Sequence, residues 1–251
     1  MKKQDFFTRP GIVCITAVFC CALWGSAVPF IKTGYLLFSI DATDTASILV
    51  FAGLRFALAG ILVLIAGSFL QKRILLPTKT SLKAIPVLAL FQTAGQYFLY
   101  YIGLAHTSGV NGSIISGTSA FFALLVASLL FRFEKLSLTK VIGCILGFFG
   151  ILIMNLQGVQ PFSLLGDGFM ILSQLSSAIS AAFIKLFTQK DDAVMLSGYQ
   201  FFLGGVVLMA VGFLMGGHLE LNDISGLLVL FHLAFVSACA YTLWGILLSK
   251  N

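Results

Sequence analysis

Two cationic side chains lie inside long apolar stretches of this sequence. Lys32 and Arg55 belong to two successive stretches, each at a similar distance from the loop that joins them. A charge inside an apolar segment is costly and therefore a candidate for function, although a long basic side chain can also reach a membrane surface. Two cations at one level would attract a carboxylate or phosphate. We therefore predict that Lys32 and Arg55 bind an anionic group.

Aromatic and neutral polar residues would complete such a site. Trp24 and Gly25 precede Pro29 closely, so a helix formed here has a place to deform and expose its backbone. Polar side chains in later stretches would either line a cavity or bond one helix to another, and the sequence leaves both alternatives open. The predicted substrate-binding residues are Trp24, Lys32, Arg55, Gln96, Tyr100 and Asn111.

No pattern in the sequence predicts catalysis, a metal site or a cofactor. Every carboxylate falls in a loop or at the end of an apolar stretch, so no acid inside the membrane is predicted to bind a coupling proton or sodium ion. The sequence has no Ser, His and Asp set, no histidine-rich metal pattern and no Gly-Lys-Ser/Thr phosphate-binding loop. The protein is therefore predicted not to be an enzyme.

The composition excludes a water-soluble globular domain. Hydrophobic residues make up 59% of the chain and charged residues only 10%, against roughly 25% charged in soluble domains. Spans of about 20 apolar residues fit this pattern. The sequence predicts an all-α, polytopic transmembrane helix bundle with spans at about residues 11–37, 47–70, 84–104, 110–131, 139–156, 167–187, 196–216 and 225–248.

The charges of the connecting loops predict the orientation of these spans. Lysine and arginine cluster at the N-terminus and in alternate loops, whereas the intervening loops carry Asp, Glu and His. By the positive-inside rule the N-terminus is cytoplasmic and the protein is multi-pass in the plasma (inner) membrane. The net charge of +6 thus indicates topology rather than a nucleic-acid partner. The predicted partners are the lipid bilayer and a small-molecule substrate, and a homodimer is left open.

An internal repeat is visible in two pairs of segments. Residues 26–32 resemble residues 179–185, and Gly53–Gly60 resembles Gly198–Gly205 in the same order along the chain. A repeat of five spans, an odd number, inverts the second copy, which is typical of secondary transporters. The predicted repeats cover residues 1–156 and 157–251. Since the second would hold only three helices, the chain is predicted to be a fragment or a prematurely ended reading frame that lacks two helices.

Several short motifs follow one another along the chain. They are Ala22-Leu23-Trp24-Gly25-Ser26 with Lys32, Leu54-Arg55-Phe56, the run from Tyr101 to Ser108, Phe133-Glu134-Lys135-Leu136-Ser137, and Gly143, Gly147 and Gly150. In this order they resemble the EamA-like group of the drug/metabolite transporter superfamily. The resemblance implies ten helices in two inverted halves, and export or exchange of small metabolites such as amino acids. The fourth span departs from the family, because Gly117-Thr118-Ser119 lacks the usual proline, although Gly117 and its neighbours can still bend a helix.

The function predicted from these observations is secondary transport, with export of amino acids or other small organic solutes by alternating access between inverted halves. Two alternatives stay open. In the first, the protein is a membrane lipid-handling protein or flippase, and the cationic pair holds a lipid phosphate. In the second, the chain is an inactive truncated product.

Overall fold

The computed structural model describes residues 6–41, 43–221 and 223–250, and within these ranges the secondary structure is helical, without a β-strand. The α-helices are α1 (Pro10–Leu37), α2 (Thr45–Leu70), α3 (Ser81–Leu88), α4 (Gly95–Ala105), α5 (Gly109–Gly117), α6 (Ser119–Leu125), α7 (Leu138–Asn155), α8 (Gly166–Phe187), α9 (Ala193–Leu214) and α10 (Ile224–Lys250). Helical backbone satisfies its own hydrogen bonds, as a membrane requires. The predicted all-α, polytopic fold is confirmed.

Six described helices are long and apolar enough to cross a membrane: Pro10–Leu37, Thr45–Leu70, Gly109–Leu130, Gly166–Phe187, Ala193–Leu214 and Ile224–Lys250. The other two predicted spans are also helical. The stretch predicted at 84–104 runs through α3, a π-helical segment (Ala89–Ala94) and α4, and its glutamines make it less apolar. The stretch predicted at 139–156 is α7, whose apolar part, Leu138–Met154, is shorter than the six helices named above.

The chain divides into two compact units. The first unit comprises the described residues up to Ala89 together with those from Ile184 onwards, and it contains α1, α2, α3, α9 and α10. The second unit, Leu90–Phe183, contains α4 to α7 and most of α8. This division follows spatial contact. The repeats at 1–156 and 157–251 concern sequence duplication and stay a prediction.

In the first unit, α2 and α9 touch through their backbones. A Cβ atom added to Gly205 would lie 2.3 Å from the backbone nitrogen of Ala57, and one added to Gly60 would lie 2.5 Å from that of Phe202. No side chain fits at these distances. Glycine at the crossing allows the close approach that membrane helices use for packing.

The segments of α2 and α9 that resemble each other in sequence also pack against each other. A Cβ on Gly53 would lie 2.6 Å from the carbonyl oxygen of Gly205, and a Cβ on Gly60 would lie 2.6 Å from that of Gly198. The sequence match pairs Gly53 with Gly198 and Gly60 with Gly205. If each glycine is replaced by its match, the contact between Gly53 and Gly205 becomes the contact between Gly198 and Gly60. Such an exchange is what an inverted repeat predicts.

Aspartates fix the starts of α2 and α9. Asp44 accepts a hydrogen bond at 3.0 Å from the backbone N–H of Ser47, and hydrogen bonding by Ser47 holds the pKa of Asp44 below its ordinary value. Asp192 accepts bonds from the N–H groups of Val194 and Met195 at 2.8 and 3.0 Å. These caps satisfy donors that a helix leaves free at its first turn.

In the second unit the helix is interrupted near Gly117, where the sequence allows a bend. α5 ends at Gly117, α6 begins at Ser119, and the intervening Thr118 donates its hydroxyl to the carbonyl oxygen of Ile115 at 2.6 Å. A helix interruption therefore forms here without proline. By contrast, α1 remains a continuous helix through Pro29, so the break allowed by the sequence is not formed there.

Candidate functional site

Arg55 lies on α2, and its side chain is buried within the first unit. It is only 4% exposed, its Nε donates to the Oγ of Ser237 on α10 at 2.9 Å, and its guanidinium carbon lies 5.2 Å from the centre of the Phe56 ring. Among the described residues, no carboxylate lies within ion-pair distance of Arg55. A buried charge without a counter-ion is costly. The site is therefore one that a negative group would stabilise.

A series of aromatic rings begins at Phe56, beside this arginine, and continues to Tyr241 and Trp24. Tyr241 lies one helical turn after Ser237 on α10, and its ring is 6.4 Å from that of Phe56 and 5.1 Å from that of Trp24. The Nε1 atom of Trp24 is buried and has no hydrogen-bond partner among the described residues. We call Arg55, Phe56, Ser237, Tyr241 and Trp24 the Arg55 cluster. It brings together two of the predicted site residues, Arg55 and Trp24.

The Arg55 cluster has the chemistry to bind an organic anion. A guanidinium carries five N–H donors in a planar fork, of which the Nε–H is used by Ser237. The remaining donors match a carboxylate or phosphate in a bidentate arrangement. The ring faces nearby offer apolar surface for the carbon part of a solute, and the Trp24 N–H offers a further donor.

Lys32 lies outside this cluster. Its side chain is exposed on α1, and no described hydrogen bond or ion pair involves it. The structure therefore does not join Lys32 to Arg55 as a cationic pair by any described contact. A role for Lys32 in binding stays a prediction.

Gln96 and Tyr100 lie on α4, in the second unit. Both side chains are half-buried. The backbone carbonyl of Gln96 accepts a hydrogen bond from the Ser173 hydroxyl at 3.0 Å, which ties α4 to α8. The Tyr100 ring packs against Tyr97 and Tyr101 at centroid distances of 6.3 and 5.5 Å. The contacts described for these two residues are thus contacts within the unit, and their role in binding stays a prediction.

Asn111 belongs to a hydrogen-bond network around Asp167. Asp167, in the first turn of α8, is 1% exposed and accepts bonds from the Thr107 hydroxyl, the Ser163 N–H at 2.7 Å and the Asn111 amide at 3.3 Å. Asn111 also exchanges two bonds with the backbone of Gln160, at 3.0 and 3.1 Å. The prediction that every carboxylate lies in a loop or at the end of a span holds for Asp167, whose burial the sequence did not predict. Asp167 stands at a helix start as the sequence suggests, but the flanking connections cover it.

We expect Asp167→Ala to destabilise the second unit by about 2–4 kcal/mol, because three donors would lose their acceptor in a buried site. Asp167→Asn, which keeps one acceptor oxygen, should cost less. Thermal unfolding of the purified chain in detergent measures both. If Asp167→Asn left the melting temperature unchanged and stopped transport, Asp167 would act in the transport cycle rather than in the packing of this unit.

Two buried polar residues of the first unit were not selected from the sequence. Ser237 is fully buried, and one serine in an apolar helix carries no signal that separates it from a packing residue. Gln200 on α9 is 1% exposed and occupies the position that the repeat match pairs with Arg55. The repeat was therefore a signal that could have identified Gln200.

Comparison with known proteins identifies the family that the chain resembles. Residues 11–156, more than half of the chain, match the EamA-like transporter family. A chloroplastic WAT1-related protein of Arabidopsis thaliana is 30% identical over 115 residues, covering 43% of this chain and 27% of that protein. An uncharacterized transporter of Archaeoglobus fulgidus is 27% identical over 228 residues, and the match covers 88% of this chain and 75% of that transporter.

Two further matches extend this result. The uncharacterized transporter YoaV of Bacillus subtilis is 24% identical over 169 residues, covering 66% of this chain and 57% of that protein. Both it and the Arabidopsis protein are thus covered over less than two thirds of their length. A solved crystal structure aligns with a TM-score of 0.66 at 19% identity, over 90% of this chain and 80% of its own, which supports the helical fold.

Proposed function

Because the chain belongs to the EamA-like transporter family, we propose that this multi-pass membrane transporter is a secondary transporter of small organic solutes that carry a negative group. It works by alternating access and exports amino acids or other small metabolites. Its N-terminus is cytoplasmic in the plasma (inner) membrane, as the distribution of loop charges favours.

The observation that carries the proposal is the unpaired charge of Arg55. The residue lies in a helix long and apolar enough to span a membrane, is 4% exposed, and has Ser237 and the Phe56 ring as its described partners. An arginine buried in a membrane-spanning helix is rare unless it has a charged partner or a functional role. A carboxylate or phosphate on the solute would supply the missing negative charge and recover part of the cost of burial.

The aromatic part of the cluster favours an organic solute over an inorganic anion. The Phe56 ring places apolar surface beside the guanidinium, and the rings of Tyr241 and Trp24 continue from it. Inorganic phosphate would use the arginine but has no apolar part to place against this surface. A carboxylate attached to a carbon skeleton would use both, and this fits the class of small metabolites.

The test is a thermal-shift screen of the purified full chain in detergent. Small carboxylic acids are compared with their amides, which differ only in the negative group. We expect acids to raise the melting temperature and the matched amides to have little effect, since ligands that bind the native state stabilise it by mass action. If carboxylic acids had no effect and a phospholipid raised the melting temperature in a way that Arg55→Ala abolished, the lipid-handling alternative would replace the proposed transport of soluble anions.

A further inference from the structure

A second basic site lies in the first unit, away from the residues of the Arg55 cluster. It is a cavity of about 620 Å³ at the turn that follows α8 and precedes α9. We call it the lysine cavity; its principal lining residues are Lys79, Lys83, Lys190, Val87, Leu186 and Phe187. A cavity of this size is within the range of sites that hold small molecules.

The lysine cavity carries positive charge that no described acid neutralises by ion pairing. Lys79, Lys83 and Lys190 are exposed, and none of them forms an ion pair with a described carboxylate. Asp191 also lines the cavity, but its Oδ1 accepts a hydrogen bond from the Thr78 hydroxyl at 2.7 Å. Even with Asp191 ionised, three lysines leave the lining with a net positive charge.

The neighbouring acid, Asp192, is also engaged. Its Oδ2 lies 3.0 Å from Nη2 of Arg73 and accepts a bond from the Gln71 amide at 3.0 Å, while its Oδ1 caps α9. Asp192 therefore has partners of its own outside the lysine cavity. The lysines remain available to an external anion.

The same cavity has an apolar wall. Val87, Leu186, Phe187 and Ala84 line it together with the lysines. α8, a helix long and apolar enough to span a membrane, ends at Phe187, so this wall lies where a spanning helix reaches the membrane surface. Lysines and apolar side chains lining one cavity at that level match an amphiphile, with a phosphate for the lysines and acyl carbons for the apolar residues.

We propose that the lysine cavity binds the headgroup phosphate of an anionic phospholipid, with the first acyl carbons against Val87, Leu186 and Phe187. The lipid neutralises the lysines, and the basic turn between α8 and α9 is thereby held at the bilayer surface. This site is separate from the solute site and does not depend on which solute Arg55 binds.

Native mass spectrometry of the full chain in neutral detergent tests the proposal. Phosphatidylglycerol and phosphatidylcholine are offered at equal concentrations, and the bound fraction of each is measured. We expect preferential retention of phosphatidylglycerol. The variant Lys79→Gln/Lys83→Gln/Lys190→Gln should lose this preference, with affinity falling roughly fivefold for each lysine removed.

The matched control is Lys72→Gln/Arg132→Gln/Lys135→Gln, which removes the same charge from loops outside the cavity and should retain the preference. Equal loss in both variants, or equal binding of the two lipids, would overturn the proposal. So would complete displacement of phosphatidylglycerol by millimolar inorganic phosphate, which would assign the lysines to a soluble anion. If the triple variant were not recovered folded, the three single substitutions, all at exposed positions, give the same comparison.

Discussion

Substitution of Arg55 by alanine should abolish transport of the anionic solute into proteoliposomes while the protein still inserts and folds. The guanidinium is the cation of its cluster and would form charge-assisted bonds with the solute, each worth about 1.5–3 kcal/mol. Loss of a bidentate contact should therefore lower the apparent affinity by roughly 100-fold or more. Uptake of a radiolabelled acid identified in the thermal-shift screen measures the effect.

Stability separates a binding role of Arg55 from a packing role. Arg55→Met keeps much of the side-chain volume and removes a buried charge that has no described counter-ion, so the melting temperature should be unchanged or higher while transport is lost. Lys135→Met, at an exposed loop position, is the matched control and should transport normally. Unchanged transport by Arg55→Met would remove Arg55 from the solute site.

Gly205→Val should prevent the first unit from folding. The new Cβ alone would lie 2.3 Å from the backbone nitrogen of Ala57 and 2.6 Å from the carbonyl oxygen of Gly53, and neither backbone atom can move without separating α2 from α9. Overpacking typically costs about 1–3 kcal/mol and more where backbone must shift. We expect loss of the monodisperse peak in fluorescence size-exclusion chromatography, and a lowered melting temperature for Gly205→Ala.

Gly147→Ala on α7 is the control for this prediction. No atom lies within 4 Å of a Cβ added to Gly147, and alanine is a better helix former than glycine. This variant should behave as the unsubstituted chain or be slightly more stable. A normal elution profile for Gly205→Val would show that α2 and α9 do not make the backbone contact described above.

The helices and part of the site follow from local properties of the sequence. A stretch of apolar residues long enough to cross a bilayer must pair its own backbone groups, so hydropathy alone predicts where the helices lie. Arg55 was selected because a charge in such a stretch needs a partner, and Trp24 because Gly25 and Pro29 give its helix a place to deform. Gly117 and its polar neighbours allowed a bend, and the helix is interrupted beside them at Thr118.

The rest of the site depends on which face of each helix meets its neighbours. α2 and α10 are apolar almost all round, so no polar stripe indicates their packed face. Lys32 and Arg55 were predicted to form a pair because they lie at a similar depth in their predicted spans. In the structure Arg55 is buried and Lys32 is exposed, so the two side chains lie on differently packed faces. The burial of Asp167 likewise depends on loop residues, Thr107 and Ser163, that become neighbours only after folding.

The backbone contact between α2 and α9 also restricts how this protein can move. A shift of one helix along the other would bring a Cβ of Ala57 or a side chain of Met209 into space that only a glycine hydrogen occupies. We therefore expect α2 and α9 to move as one rigid body through a transport cycle. Displacements within the first unit then have to occur where side chains separate the helices. Trp24, Tyr241 and Trp244 separate α1 from α10 in this way. Their rings can change rotamer, whereas two backbones in contact have no such freedom.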